Sequence, residues 1–90
     1  RDAHPAAAAL VIEVADTSVD YDLGAKAALY AESAVDEYWV IDLVRGVVVV
    51  HRERTAGAWT SITTHAADAA VAPAGLGLPP LTLAELLRDA

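Results

Sequence analysis

Apolar and polar positions follow different rhythms along this chain. Residues 8–15 form a continuous apolar run rich in β-branched side chains, broken only by Glu13. Such a run predicts a central strand covered on both faces. Asp16 to Asp20 form a polar loop. From about Asp22 to Ser33 the spacing becomes helical. With Leu23 as origin and about 100° per residue, Ala27, Tyr30 and Ala34 fall within about 40° of it, a narrow stripe suited to packing on a sheet. Lys26 lies about 60° to one side. Its stem can follow the core while its ammonium reaches the end of the sheet.

Glu37 to Leu43 predicts a second strand, and a strand–helix–strand order implies a right-handed crossover. Tyr38, Val40 and Asp42 share one face of it, and Trp39, Ile41 and Leu43 the other. Val44-Arg45-Gly46 is a tight turn, Val47 to Arg52 an antiparallel return, Thr55-Ala56-Gly57 a second turn and Ala58 to Thr64 a further strand. The Ala-rich stretch from His65 to Ala72 has no clear period, though Ala69 to Ala72 could add a short edge strand. Pro73 to Pro80 is a loop by its Pro and Gly content. Leu81 to Leu87 is a short terminal helix, with Thr82 and Glu85 at capping-box spacing and Leu83, Leu86 and Leu87 pinning it to the body. The fold class is α/β (α+β): a mixed sheet, one crossover helix, a C-terminal antiparallel meander and a short terminal helix.

Composition narrows this picture. Ninety residues, 56% of them hydrophobic, make one small domain. The chain begins with Arg1 rather than Met and reads as part of a longer protein, so part of a site would lie upstream. The lack of cysteine removes disulfides and thiolate metal sites and fits a cytoplasmic protein. No apolar run reaches the ~18 residues of a membrane span, and no signal peptide is visible. A net charge of −7 argues against general DNA binding; only Arg45, Arg52 and Arg54 cluster. Metal-dependent nucleases are a partial exception, because cations neutralise their carboxylates.

The candidate chemistry starts at Glu13. A carboxylate inside an apolar strand must be paired, protonated or bound to a metal. Lys26 on the following helix is the available partner. A strand acid, a helix lysine and a second acid nearby suit phosphodiester hydrolysis, which needs a hard divalent cation on oxygen ligands and a positive charge near the phosphate. Spacing alone leaves a plainer reading open, in which Glu13 ends at solvent and Lys26 pairs with Asp22 at i, i+4. Asp16-Thr17-Ser18 suits turns and caps more than ligation. Asp42 could approach the site or mark the strand exit. Tyr30, Tyr38, Trp39 and Trp59 read as core and sheet-face aromatics. His4, His51 and His65 lack zinc-ligand spacing, and His51 is expected on a strand exposed at a hairpin edge.

Three segments together carry a resemblance. Leu10-Val11-Ile12-Glu13-Val14-Ala15-Asp16-Thr17-Ser18, Asp22-Leu23-Gly24-Ala25-Lys26-Ala27-Ala28-Leu29-Tyr30-Ala31 and Glu37-Tyr38-Trp39-Val40-Ile41-Asp42 resemble the Uma-two family, bacterial endonucleases of the PD-(D/E)XK superfamily. The stretch from Gly75-Leu76-Gly77-Leu78 to Leu86-Leu87 is similar to the family's closing segment. The resemblance implies a restriction-endonuclease-like core and metal-dependent cleavage of nucleic acid, with DNA as substrate and Mg²⁺ or Mn²⁺ as cofactor. It implies that residues 1–90 are the C-terminal part of such a domain. Glu13 matches the strand acid, as metal ligand and catalytic residue. The strict motif has lysine two residues later, where this chain has Ala15; the matching catalytic lysine is then Lys26. The first acid, from a Pro-Asp step on a preceding strand, is not visible, and Asp2 stands in a loop-like context. Ala34-Val35-Asp36 replaces the Gly-Val-Pro turn of relatives. Two rival readings remain beside hydrolysis. One is an inactive scaffold for binding or for homodimer formation through the meander's edge; the other is a toxin-like or regulatory protein that recognises protein.

Overall fold

The computed structural model describes residues 7–8, 10–16, 19–73 and 77–88. Its elements are β1 (Ala7–Ala8), β2 (Val11–Ala15), α1 (Val19–Leu23), α2 (Ala25–Ala31), β3 (Ala34–Val35), β4 (Glu37–Asp42), β5 (Val47–Thr55), β6 (Ala58–Ala66) and α3 (Leu83–Arg88). The main sheet has the order β2-β4-β5-β6. β2 and β4 are parallel, while β4–β5 and β5–β6 are antiparallel hairpins. β1 and β3 form a short parallel pair in the register that β2 and β4 continue, Ala7 facing Ala34 and Val11 facing Tyr38. The result is the expected α+β fold: a mixed sheet, a helical crossover, a meander and a short terminal helix. Among the described residues, no helix is long and apolar enough to cross a membrane.

Side-chain alternation divides the core into two layers. Ala27, Tyr30, Tyr38, Val40 and Val49 pack together on the face covered by α1 and α2, with Val11, Leu23 and Trp59 at the margin. Trp39, Ile41, Val48, Val50, Val71 and Leu83 pack on the other face, with Leu10, Leu86 and Leu87 beside them. The two expected faces of β4 are therefore real, and all six of its residues are buried. The Thr82–Glu85 capping box forms as expected: Thr82 N donates to Glu85 Oε1 at 2.9 Å and Glu85 N donates to Thr82 Oγ1 at 3.3 Å.

Several expectations need correction. β2 is an edge strand among the described residues, not a central one. It pairs only with β4, and Ile12 and Val14 are exposed because the α3 layer stops over β4 and β5. The crossover is two short helices rather than one, and it begins at Val19, within the expected loop. Gly24 makes the break, with φ −100° and ψ −94°. A Cβ there would meet the Asp20 carbonyl oxygen at 3.0 Å, so a larger residue requires this turn to give by a few tenths of an ångström. Ala34, expected on the helix stripe, is exposed in β3. Residues Ala69–Ala72 add no strand; Val71 makes a single antiparallel bridge to Leu81. The expected strands over 47–52 and 58–64 each run further, to Thr55 and Ala66.

The β5–β6 hairpin closes through Ala56 and Gly57, at φ 55° and 77°, between the paired residues Thr55 and Ala58. Two positive φ values in a two-residue loop mark a type I′ turn, which favours Asn-Gly. Alanine carries a steric cost there that asparagine or glycine avoids. Ala56→Asn is expected to stabilise the protein by about 0.5–1 kcal/mol, read as a raised denaturation midpoint at unchanged m-value.

Candidate active site

Glu13 lies on β2 level with Val40 of β4, on the face beneath α1 and α2. The chain leaves β2 at Ala15 and returns over that face, so the two helices present Asp22, Lys26 and Tyr30 above Glu13. Lys26 Nζ stands 3.4 Å from Glu13 Oε2 and 3.6 Å from Asp22 Oδ1. Tyr30 donates its hydroxyl to the same Glu13 oxygen at 3.4 Å. Asp22 is buried, whereas the Glu13 and Lys26 side chains keep 29% and 25% of their surface in solvent. A substrate can therefore reach the pair without unfolding anything. The helix is anchored from below, because the buried Tyr38 hydroxyl donates to the Asp22 carbonyl oxygen at 3.1 Å.

Two titrations follow from this geometry. Burial on its own would lower the Lys26 pKa, but the charges of Glu13 and Asp22 outweigh it and hold the pKa above its ordinary value. Burial and the adjacent Glu13 charge push the Tyr30 hydroxyl up. At neutral pH Lys26 is thus an ammonium and Tyr30 a neutral donor. The cluster presents two carboxylates around one fixed positive charge, and Lys26 is no proton acceptor.

The other candidates fall elsewhere. Asp42, left open between site and strand exit, takes the second role: its Oδ1 accepts from Val44 N and Arg45 N at 3.0 Å each, and its Oδ2 meets Arg45. Asp16 is exposed beyond the end of β2; Thr17, Ser18, Asp2 and His4 lie outside the described residues. His65 pairs with Thr63 on β6. His51 is not exposed at a hairpin edge, as expected, but buried, because β5 is an inner strand with neighbours on both sides. Its Nδ1–H donates to the Tyr38 carbonyl oxygen at 2.9 Å, the only polarity that a carbonyl allows. The rings of Tyr30, Tyr38, His51 and Trp59 follow one another at 4.9, 5.2 and 6.0 Å and form the floor under α2. Trp59 closes it by donating Nε1–H to the Ala27 carbonyl oxygen at 2.8 Å.

Sequence reasoning missed three polar roles. Tyr30 was read only as core, although it orients Glu13. Asp22 entered only as a rival partner for Lys26, whereas Lys26 bridges both acids. On the opposite face, Glu37 is buried and accepts from Trp39 Nε1 and Arg52 Nε at 2.6 Å each. The hairpin register could have revealed this last group, since a turn at residues 43–46 sets Glu37 opposite Arg52.

The chain matches the Uma2 family, described as a putative restriction endonuclease, over residues 1–84. It belongs to that family. No curated protein and no solved structure matches the chain. Membership in Uma2 makes this a nuclease-family protein, as the three motif segments implied. Ala15, two residues beyond Glu13 on β2, is buried. The cation that stands beside Glu13 is Lys26, on α2.

Burial of His51 lowers its pKa from 6.5 against the opposing hydrogen bond to Tyr38. The unfolded chain then takes up a proton at His51 that the folded chain refuses. Stability should fall as pH drops below about 6.5. His51→Gln should remove that part of the acid-side loss, checked by denaturant unfolding of both proteins across this pH range.

Proposed function

We propose that this chain carries the hydrolytic centre of a metal-dependent endonuclease acting on DNA, with Glu13 and Lys26 as catalytic residues. One observation carries the reading: a protonated lysine within 3.4 Å of a half-exposed strand carboxylate, with a second carboxylate at 3.6 Å. The donor set fits Mg²⁺ or Mn²⁺, which take one or two carboxylates, waters and substrate phosphate. Among the described residues there is no group of three or more His, Asp or Glu side chains that could hold a metal ion. Glu13 would therefore hold the cation with one further acid. The superfamily pattern puts that acid on the preceding strand, and the outer edge of β2, unpaired among the described residues, offers such a strand its hydrogen bonds. On this reading residues 1–90 form the C-terminal part of a larger domain.

A bound divalent cation supplies Lewis-acid stabilisation of the phosphate and a more acidic water. The chain's own residues do the rest. Tyr30 orients the Glu13 carboxylate. Asp22 fixes the Lys26 side chain through i, i+4 contact. The Lys26 ammonium offers fixed positive charge to the phosphate as negative charge develops there, and it acts without giving up its proton. A second reading, an assembly module on the same scaffold, is favoured by the exposed apolar residues Ile12 and Val14 along the open edge of β2. On that reading a second copy would add to the sheet there or at β6, where Ile62 is also exposed.

The test is cleavage of DNA and RNA by the full-length protein with Mg²⁺, Mn²⁺ or chelator. Glu13→Gln and Lys26→Ala should each lose at least about 100-fold in rate, and chelator should abolish cutting. Equal cutting by all three proteins overturns the site. A stable dimer that neither cuts nor binds metal supports the assembly reading. Because the Lys26 pKa is raised, the rate should show no basic limb from Lys26 below pH 10.5.

A further inference from the structure

Tyr21 is a large aromatic side chain left 59% exposed on α1. It stands beside the catalytic cluster, with Lys26 Nζ 5.8 Å from its ring centroid. An exposed tyrosine has no packing role that demands its ring. Its place next to the one ammonium of the site gives that ring a use. Charge adds a second, independent constraint. Each of the five cations among the described residues is engaged by carboxylate: Lys26 by Glu13 and Asp22, Arg45 by Asp42, Arg52 by Glu37, Arg54 by Asp36 and Arg88 by Glu85. Binding a duplex from outside depends on several free cations that displace counterions from phosphates. With a net charge of −7, this surface offers a nucleic-acid backbone, single or double, little general attraction, so affinity has to come from contacts other than charge. Stacking on an aromatic ring is such a contact, and it needs bases that are not already stacked in a duplex.

We infer that Tyr21 is a stacking platform that makes the site selective for single-stranded nucleic acid, a base lying on the Tyr21 ring and the adjoining phosphate at Lys26. This rests on the hydrolytic reading for its chemistry but not for its binding. Tyr21 positions the strand and takes no part in bond breaking. The ring surface free of Lys26 receives the base, and the ammonium beside it receives the phosphate.

The experiment measures binding of a short single strand carrying a fluorescent adenine analogue to the full-length protein, with Ca²⁺ in place of Mg²⁺. Wild type and Tyr21→Trp should quench the analogue. Tyr21→Leu, which keeps the bulk but not the ring, and Tyr21→Ala should bind roughly tenfold more weakly without quenching. The matching duplex should bind more weakly than the single strand, and the salt dependence should be shallow, with a slope near −0.7 for about one phosphate contact. In cleavage assays Tyr21→Ala should raise KM with little change in kcat. Equal affinity for all variants, tighter binding of duplex or a steep salt slope overturns the inference. Tyr21-dependent binding by a protein that cuts nothing supports it and removes only the hydrolytic reading. Cleavage that needs Glu13 but is indifferent to Tyr21, on single and double strands alike, overturns it and leaves hydrolysis standing.

Discussion

Complete burial of β4 is the constraint on which the molecule is built. All six residues from Glu37 to Asp42 lie out of water, so both faces must be covered and both hydrogen-bonding edges filled. β2 and β5 fill the edges; α1 and α2 cover one face and the α3 segment the other. Two of the six residues are acids, one at each end of the strand. Unpaired, either would cost several kcal/mol. Asp42 is satisfied by backbone N–H groups of the turn that follows it. Glu37 is satisfied by Trp39 and by Arg52, which also donates to the Ala72 carbonyl oxygen and so ties the chain before the terminal helix to the sheet. The buried acids thus set where the strand ends and what lies across it.

Against that rigid strand, the Glu13 site is built from looser material. β2 has one neighbour rather than two, and its acid keeps contact with solvent. The helices above it are short and broken at Gly24, so isolated helical stability contributes little. What holds them is the sheet beneath: Tyr38 reaches the Asp22 carbonyl oxygen, Trp59 reaches the Ala27 carbonyl oxygen, and Tyr30 touches Glu13. Three aromatic side chains with polar tips fasten the crossover at three points, each combining apolar burial with one directed hydrogen bond. The candidate cluster therefore sits where a fixed floor meets an accessible rim. That division of labour suits a site that must be preorganised and still admit a long substrate.

Much of this is legible in the residues alone. The strand at Glu37–Asp42, its two faces, both turns and the capping box at Thr82 and Glu85 follow from local rules with periods of two or about 3.6 residues. The pairing of Glu13 with Lys26 was also legible, because an acid in an apolar strand demands a partner and the next helix carries one lysine. His51 and β2 were misread for a common reason. Burial of a strand depends on its place in the sheet order. His51, in a strand with polar neighbours, proved to be inside; Ile12 and Val14, in an apolar run, proved to be outside. Periodicity reports how side chains alternate and says nothing about which strand stands at the edge.

The residue order alone therefore determined most of the strands, both hairpin turns and the candidate partner for Glu13, because each depends on neighbours a few positions away. Tertiary structure decided that Lys26 serves Asp22 and Glu13 together, that Tyr30 joins them, that Glu37 meets Arg52 and that Tyr21 stays open to solvent. Those outcomes depend on which surfaces the crossover lays over the sheet. That choice is made by the sum of many weak packing contacts between distant segments, and no local pattern encodes it.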